Sequence, residues 1–119
     1  MAQHNDFGKE AEQIAVDFLI ENGHTILAQN FIYAHAEIDI ISLKNNILHI
    51  TEVKARTSVA YGEPESFVNK SKINLVVKAA NQYVLKNDLD TEVQFDIISI
   101  VKNQTGCSIN YIEDAFYPF

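Results

Sequence analysis

Apolar positions recur at two different spacings along the chain, and these spacings divide it into helices and strands. Spacings of three and four residues predict a first helix over residues 6–22, with Asn5 as its N-cap and Gly23 as its C-cap, and a second helix over 71–86. Runs rich in β-branched and apolar residues predict five strands, at 25–33, 36–43, 47–54, 93–101 and 108–112.

The order of these elements, α-β-β-β-α-β-β, predicts an α/β fold in a single domain over residues 1–119. A helix before a three-strand meander and another helix after it favour a mixed sheet with helices on both faces. The crossover through the second helix should place the third and fourth strands parallel. We also expect a polar loop over 56–64, a helical turn starting near Pro64, and an aromatic tail over 113–119 that packs on the sheet.

The second and third strands form a hairpin whose turn sets the register of two acidic residues. Asparagine tolerates positive φ, so Asn45 and Asn46 suit a two-residue turn. A turn centred there places Asp39 opposite Glu52, and facing carboxylates repel each other and destabilise a sheet. A cation between them would make the arrangement favourable. Because hard divalent cations take oxygen ligands, this pair predicts a Mg²⁺ or Mn²⁺ site.

Lys54 lies two residues after Glu52 and therefore points to the same face of the strand. Phosphodiester hydrolysis needs a metal, an activated water and neutralisation of charge, and Asp39, Glu52 and Lys54 can supply these together. Two alternatives stay open. The two acids can be solvated strand residues, although the positions beside them on the same face are apolar. Lys54 can form a salt bridge with Glu37 across the hairpin.

The net charge of −7 argues against a nucleic-acid partner, since DNA-binding proteins usually carry a basic surface. The distribution of charge weakens this objection. Residues 1–43 carry −6 and residues 87–119 carry −5, whereas residues 44–86, around and after the candidate site, carry +4. Metal bound at the acidic residues would offset part of the negative charge.

Other features of the composition favour an ordinary cytoplasmic globular protein. We find no basic and apolar leader and no apolar run long enough for a membrane span. The single cysteine, Cys107, is expected to be a small core residue rather than a nucleophile. The histidines show no mutual ligand spacing, and His49, on the hairpin face opposite Asp39, is interpreted as structural.

Several motifs have the order and spacing of a known family. The first helix carries Gly8-Lys9-Glu10-Ala11-Glu12-Gln13-Ile14-Ala15, the second strand carries Ala36-Glu37-Ile38-Asp39-Ile40-Ile41, and the third ends in Glu52-Val53-Lys54-Ala55-Arg56. Together they resemble, over nearly the whole chain, the YraN-type uncharacterised family within the PD-(D/E)xK nuclease-like superfamily. The family's patterns are Gly-x-x-Gly-Glu-x-x-Ala, Gly-Glu-Ile-Asp-Leu-Ile and Glu-Val-Lys-x-Arg. Smaller matches are Gly62, Pro64, Lys72, Phe95-Asp96 and Ala115-Phe116.

The chain departs from the family pattern at three positions. Ala11 and Ala36 stand where the family has glycine, which affects local packing or backbone freedom. Gln94 stands where the family has arginine, which removes a candidate phosphate contact.

The resemblance implies a restriction-endonuclease-like three-layer core, similar to that of archaeal Holliday junction resolvases. It also implies that Glu12 reaches the site from the first helix as a further acidic group and metal ligand. Glu37 would then support Lys54. Arg56, Lys70 and Lys72 would contact phosphates, or they are solvated surface charges.

Three hypotheses follow. The first is a Mg²⁺- or Mn²⁺-dependent nuclease acting on DNA, with branched DNA among its candidate substrates. The second is a non-catalytic module that keeps the nuclease fold and binds nucleic acid or protein. The third is a homodimer built through the aromatic tail or an exposed strand.

Overall fold

The computed structural model describes residues 3–57 and 70–116 of the chain. Its elements, in chain order, are α1 (Gln3–Glu21), β1 (Thr25–Tyr33), β2 (Ala36–Lys44), β3 (Ile47–Arg56), α2 (Lys70–Lys86), β4 (Glu92–Asn103) and β5 (Gly106–Ile112). The predicted order is confirmed, and each predicted end lies within three residues of the observed one. Most of the predicted loop at 56–64, the turn near Pro64, and residues 117–119 of the tail lie outside the described residues.

One sheet contains the five strands in the order β1-β2-β3-β4-β5. Neighbouring strands are antiparallel except β3 and β4, which are parallel. A parallel pair needs a crossover connection, and α2 lies in that connection. The predicted mixed sheet is therefore confirmed.

The two helices cover opposite faces of this sheet. Phe95 packs in the cluster under α2, whereas Ile98 and Ile100 of the same strand pack in the cluster under α1. The cluster under α2 is completed by Ala36, Ile38, Ile41, Leu48, Ile50, Val76, Ala79 and Ala80. The cluster under α1 is completed by Phe7, Ala11, Ala15, Val16, Leu19 and Ile40. Among the described residues, no helix is both long and apolar enough to span a membrane.

The hairpin between β2 and β3 has the predicted turn and register. Asn45 and Asn46 both have positive φ, 53° and 62°, as a two-residue hairpin turn requires. Ile41 pairs with Ile50, as predicted. The predicted register of the hairpin is therefore confirmed from Ile40 and Thr51 to the turn.

The two ends of α1 differ in how well the sequence predicted them. Gly23, with φ of 90°, caps the C-terminus: its amide donates to the carbonyl of Ile20, and the amide of His24 donates to that of Leu19 at 2.9 Å. The predicted N-cap at Asn5 is wrong, because the helix begins at Gln3 and Asn5 lies inside it. The apolar spacing marked only the part of the helix that packs on the sheet.

The C-terminal part of the chain gives one correction and one confirmation. Cys107 is exposed rather than buried, because it lies on β5, whose residues from Gly106 to Asn110 are all exposed. Phe116, in the aromatic tail, packs against the sheet with its ring stacked 5.2 Å from that of Phe95.

Candidate functional site

The alternation of side chains along β2 breaks at Asp39. Ile38 and Ile41 pack in the cluster under α2, whereas Ile40 packs in the cluster under α1. In a regular strand, residues 38 and 40 share a face. The position of β1 across from Asp39 is Asn30, which has φ of 53°. Asp39 therefore lies between two residues that pack on opposite faces of the sheet, and it belongs to neither apolar cluster.

β2 and β3 part where the two acidic residues lie. The pairing of β2 with β3 ends at Ile40 and Thr51, whereas β3 stays paired with β4 to its last residue. The next positions along the two strands are Asp39 and Glu52. In place of a backbone pair, Oδ2 of Asp39 accepts a hydrogen bond of 2.8 Å from the amide of Val53. The carboxylate of Asp39 therefore reaches the strand that carries Glu52 and Lys54.

Asp39 lies in an environment that disfavours its negative charge. Burial raises the pKa of its carboxyl to about 7, and the charges of Glu52, Glu12 and Glu37 contribute to the rise, while the hydrogen bond from Val53 opposes it. Three acidic residues from α1, β2 and β3 are thus near enough to act on Asp39. Perturbation of this size by burial and like charge is typical of functional sites.

Glu52 is the most buried acid of this group, and a lysine from α2 holds it. Its side chain is 8% exposed, and its Oε1 lies 3.1 Å from Nζ of Lys72. Burial works against the ammonium of Lys72, yet the carboxylate of Glu52 raises its pKa. Burial lowers the pKa of Lys54, and the adjacent Lys72 lowers it further. The ammonium of Lys54 is thus more acidic than that of an ordinary lysine.

The remaining predicted residues are all more exposed than Glu52. Glu12 is half-buried on α1, Glu37 is exposed, and Lys70 is exposed at the first position of α2. Arg56 is half-buried at the end of β3, and its Nη1 donates to the carbonyl of Ala55 at 3.0 Å.

The salt bridge considered for Lys54 and Glu37 is not formed; among the described residues, no ion pair joins them. The reason is that β2 and β3 are already parted at these positions. The ammonium that pairs with an acid of the site belongs to Lys72 instead. The sequence placed Lys72 among the candidate phosphate contacts, and its pairing with Glu52 could not be seen without knowing how α2 packs.

The donor set fits a hard divalent cation without forming a closed cage. Within residues 3–57 and 70–116, no three His, Cys, Asp or Glu side chains are placed to enclose an ion. Mg²⁺ is commonly held by one or two carboxylates together with water and substrate phosphate. Asp39 and Glu52 supply that number, and a cation would relieve the repulsion that raises the pKa of Asp39. The role of Glu12 as a further ligand stays a prediction.

A second polar cluster lies under α1, and the sequence did not reveal it. Asp96 is fully buried and accepts four hydrogen bonds, from His49 Nδ1 (2.8 Å), Tyr111 Oη (2.7 Å), Gln94 Nε2 (2.9 Å) and the amide of Asp114 (3.1 Å). Burial alone would favour the neutral acid, but these bonds lower its pKa. The structural interpretation of His49 is consistent with this arrangement.

His24 joins this cluster from the end of α1. Its ring lies 4.6 Å from that of His49, and its Nδ1 lies 2.8 Å from Oγ of Ser42. Burial and the neighbouring His49 lower the pKa of His24 to about 4. The two histidines have no ligand spacing in the sequence, yet the fold brings them together. The sequence signal for this position was the helix cap at Gly23, because it ends α1 just before His24 and turns the chain towards β1.

Gln94 contacts acids rather than the candidate site. Its Nε2 donates to Asp96 and, at 3.2 Å, to Oε1 of Glu113. The expectation that an arginine here would contact phosphate is therefore not supported by the position of this side chain. A cation at position 94 would lie beside two carboxylates, so the departure from the family pattern bears on the cluster around Asp96.

Comparison with known proteins shows the family of the chain. A family model described as "Uncharacterised protein family UPF0102" matches residues 11–100. A UPF0102 protein of Flavobacterium psychrophilum is 51% identical over 119 residues, and one of Christiangramia forsetii is 45% identical over 119 residues, with both chains covered completely in each case. A UPF0102 protein of Phocaeicola vulgatus is 40% identical over 118 residues, covering 99% of this chain and 98% of the relative. The chain belongs to the UPF0102 family, which is the YraN-type family expected from its motifs.

Proposed function

We propose that this member of the UPF0102 family is a nuclease that hydrolyses phosphodiester bonds of DNA with Mg²⁺ or Mn²⁺. The observation that supports the proposal is the carboxylate of Asp39. It receives one hydrogen bond, from Val53, and has three acidic neighbours that act on its charge. A buried charge is normally paired or bound to metal, and the ion pair that Lys72 forms with Glu52 does not include Asp39.

The residues of the site can be given roles in such a reaction. A bound divalent cation would polarise the scissile phosphate and promote ionisation of a water. Asp39 and Glu52 would hold the cation through their carboxylate oxygens. Lys54, whose pKa is lowered, can take up or orient the proton of the attacking water at Nζ. The ammonium of Lys72 and the guanidinium of Arg56 would neutralise charge on the phosphate.

The arrangement supports a relationship to the PD-(D/E)xK superfamily. An acid on one strand, followed on the next strand by an acid, one intervening residue and a lysine, is similar to the pattern of that superfamily. On this ground we propose a restriction-endonuclease-like origin, and branched DNA, as cut by Holliday junction resolvases, as the first substrate to examine. Kinship of fold does not by itself establish an activity, so the proposal depends on the site.

The direct test is cleavage of labelled four-way junctions and linear duplexes with Mg²⁺ or Mn²⁺. We expect wild-type protein to cut and Asp39→Asn to cut about 100-fold more slowly or not at all, because the variant loses a charged metal ligand. Asp90→Asn, the same change at an exposed position, should cut as wild type does. Equal cleavage by wild type and Asp39→Asn would reject the proposal.

A second candidate function is a non-catalytic module that binds nucleic acid or protein. Two observations favour it: the ion pair between Glu52 and Lys72 already neutralises one acid of the site, and the net charge is −7. This function predicts binding of DNA or a partner that Mg²⁺ does not change and that Asp39→Asn leaves intact. Fluorescence anisotropy with and without Mg²⁺ distinguishes it from the first proposal.

Two further expectations stay predictions. One is a cytoplasmic location, which would place the protein with chromosomal DNA. The other is a homodimer, for which a concentration-dependent sedimentation coefficient is the test.

A further inference from the structure

The start of α2 carries charge of the sign that a helix start disfavours. Its first turn contains Lys70 and Lys72 and no acidic residue. The N-terminus of a helix bears a partial positive charge, so two ammonium groups there reduce the stability of the helix. Helix formation therefore does not explain why Lys72 occupies this position. Its contact with the buried carboxylate of Glu52 offsets this cost.

That contact places an ammonium where the proposed cation would act. Nζ of Lys72 lies 3.1 Å from Oε1 of Glu52, and the Lys72 side chain is 37% exposed, compared with 8% for Glu52. Lys72 is also close enough to affect Lys54, whose pKa it lowers, and Asp39, whose charge helps to raise the pKa of Lys72. The ammonium of Lys72 thus interacts with both acids of the site, Glu52 and Asp39.

We propose that Lys72 is an exchangeable counter-ion of this site: it neutralises Glu52 in the metal-free protein and gives way when a divalent cation binds. The inference rests on the proposed function and extends it to the metal-free state. The buried carboxylate of Glu52 needs positive charge in either state, because leaving it unpaired is costly. Since Lys72 reaches it from α2 rather than from the strands, the exchange leaves Asp39, Glu52 and Lys54 in position.

The exchange predicts negative coupling between Lys72 and the metal. The free energy of the ion pair between Lys72 and Glu52 is lost when the cation binds. Removing the ammonium of Lys72 should therefore tighten metal binding. The same removal should destabilise the protein when no metal is present. If the salt bridge were purely structural, removing Lys72 would lower stability without metal. It would not tighten metal binding more than removal of another nearby lysine does.

The test compares Lys72→Met with two controls in the absence of DNA. Lys78→Met removes an exposed charge from the same helix, and Lys54→Met removes an ammonium from the site that forms no ion pair with Glu52. In EDTA we expect the Tm of Lys72→Met to fall by about 5 °C or more, and that of Lys78→Met to stay within about 2 °C. In Mn²⁺ calorimetry we expect Lys72→Met to bind roughly tenfold more tightly than wild type, and Lys54→Met to show a smaller gain.

Saturating Mn²⁺ should also restore most of the Tm that Lys72→Met loses in EDTA. If Lys72→Met proves too unstable, Lys72→Gln, which keeps a hydrogen-bond donor near Glu52, is measured in its place and should show the same direction of change in Mn²⁺ affinity. Mn²⁺ binding that is lost in Asp39→Asn but unchanged in Lys72→Met and Lys72→Gln overturns the exchange alone. Absence of Mn²⁺ binding to wild type and to every variant overturns both the exchange and the proposed metal-dependent function.

Discussion

Two aspartates of the same sheet, Asp39 and Asp96, have pKa values shifted in opposite directions. Asp96 is fully buried and accepts four hydrogen bonds, and its pKa is lowered. Asp39 is partly buried and, within residues 3–57 and 70–116, accepts one, from Val53; burial with neighbouring negative charge raises its pKa to about 7. Both side chains are at least partly buried, and the main difference between them is the number of hydrogen-bond donors that each carboxylate meets.

This difference separates a structural carboxylate from a functional candidate. A buried carboxylate with its donors satisfied contributes to a unique packing. One that has fewer donors and acidic neighbours costs stability, and such a cost is typical of sites that bind a ligand or metal. The comparison therefore predicts opposite responses when each charge is removed.

The largest expected effect is the removal of Asp96. We expect Asp96→Ala to lower the free energy of unfolding by about 3–5 kcal/mol, because its four donors lose their acceptor in a buried position. Urea denaturation measures this, and Asp90→Ala, at an exposed position, should stay within about 0.5 kcal/mol of wild type. A loss below about 1 kcal/mol for Asp96→Ala would contradict a structural role for Asp96.

Removal of the charge at Asp39 should have the opposite sign. The pKa of Asp39 is raised from 3.8 to about 7, so the folded state keeps a proton that the unfolded state releases, and ionisation costs stability as the pH rises through this window. In EDTA at pH 8, Asp39→Asn should therefore be more stable than wild type by about 1–3 kcal/mol, a value reduced for partial exposure.

The gain in Asp39→Asn should shrink as the pH falls from 8 towards 4, since folded wild type then holds the proton and the unfolded state begins to bind one. Asparagine keeps an oxygen that can accept the hydrogen bond from Val53, so the substitution isolates the charge. Thermal unfolding at several pH values checks this. A variant less stable than wild type at pH 8 without metal would show that Asp39, like Asp96, is structural.

Acid should weaken the cluster around Asp96 through His24. The pKa of His24 is lowered from 6.5 to about 4, so the unfolded state binds more protons between these values and stability falls as the pH is lowered through them. We expect His24 to contribute about 1–2 kcal/mol to the loss of stability between pH 7 and pH 4. His24→Gln, which removes this titration, should show a flatter profile of urea midpoint against pH. An unchanged slope would contradict the assignment.

The smallest expected effect comes from adding a donor where the family has arginine. Gln94→Arg would place a cation beside Asp96 and Glu113, and we expect about 0.5–1 kcal/mol of added stability from a charge-assisted hydrogen bond. Urea denaturation measures the gain, and the rate of DNA cleavage should stay unchanged. A faster cleavage without a gain in stability would indicate that position 94 contacts phosphate after all.

Local signals in the sequence were sufficient for the fold and for part of the site. The asparagine turn at 45–46 fixed the register of the hairpin as far as Ile40 and Thr51, because a tight turn leaves a strand pair little freedom. Asp39 and Glu52 are the next residues along the two strands. The helix cap at Gly23 and the buried run of β4 were predictable for similar reasons.

Features that depend on tertiary packing were not predictable in the same way. The pair of Lys72 with Glu52 joins α2 to β3, and the contact of His49 with Asp96 joins two strands that are far apart in the chain. The parting of β2 and β3 beyond Ile40 also escaped the pattern, since alternation alone predicts a strand that continues in register. These are the features that distinguish Asp39 from Asp96.

Crystals soaked in Mn²⁺ would show whether Asp39 and Glu52 share a cation, because manganese can be located by its anomalous scattering. We expect an anomalous peak in contact with the carboxylates of Asp39 and Glu52, and the loss of that peak in crystals of Asp39→Asn. An anomalous map without a peak at these two side chains, from crystals in which both are well ordered, would contradict this expectation.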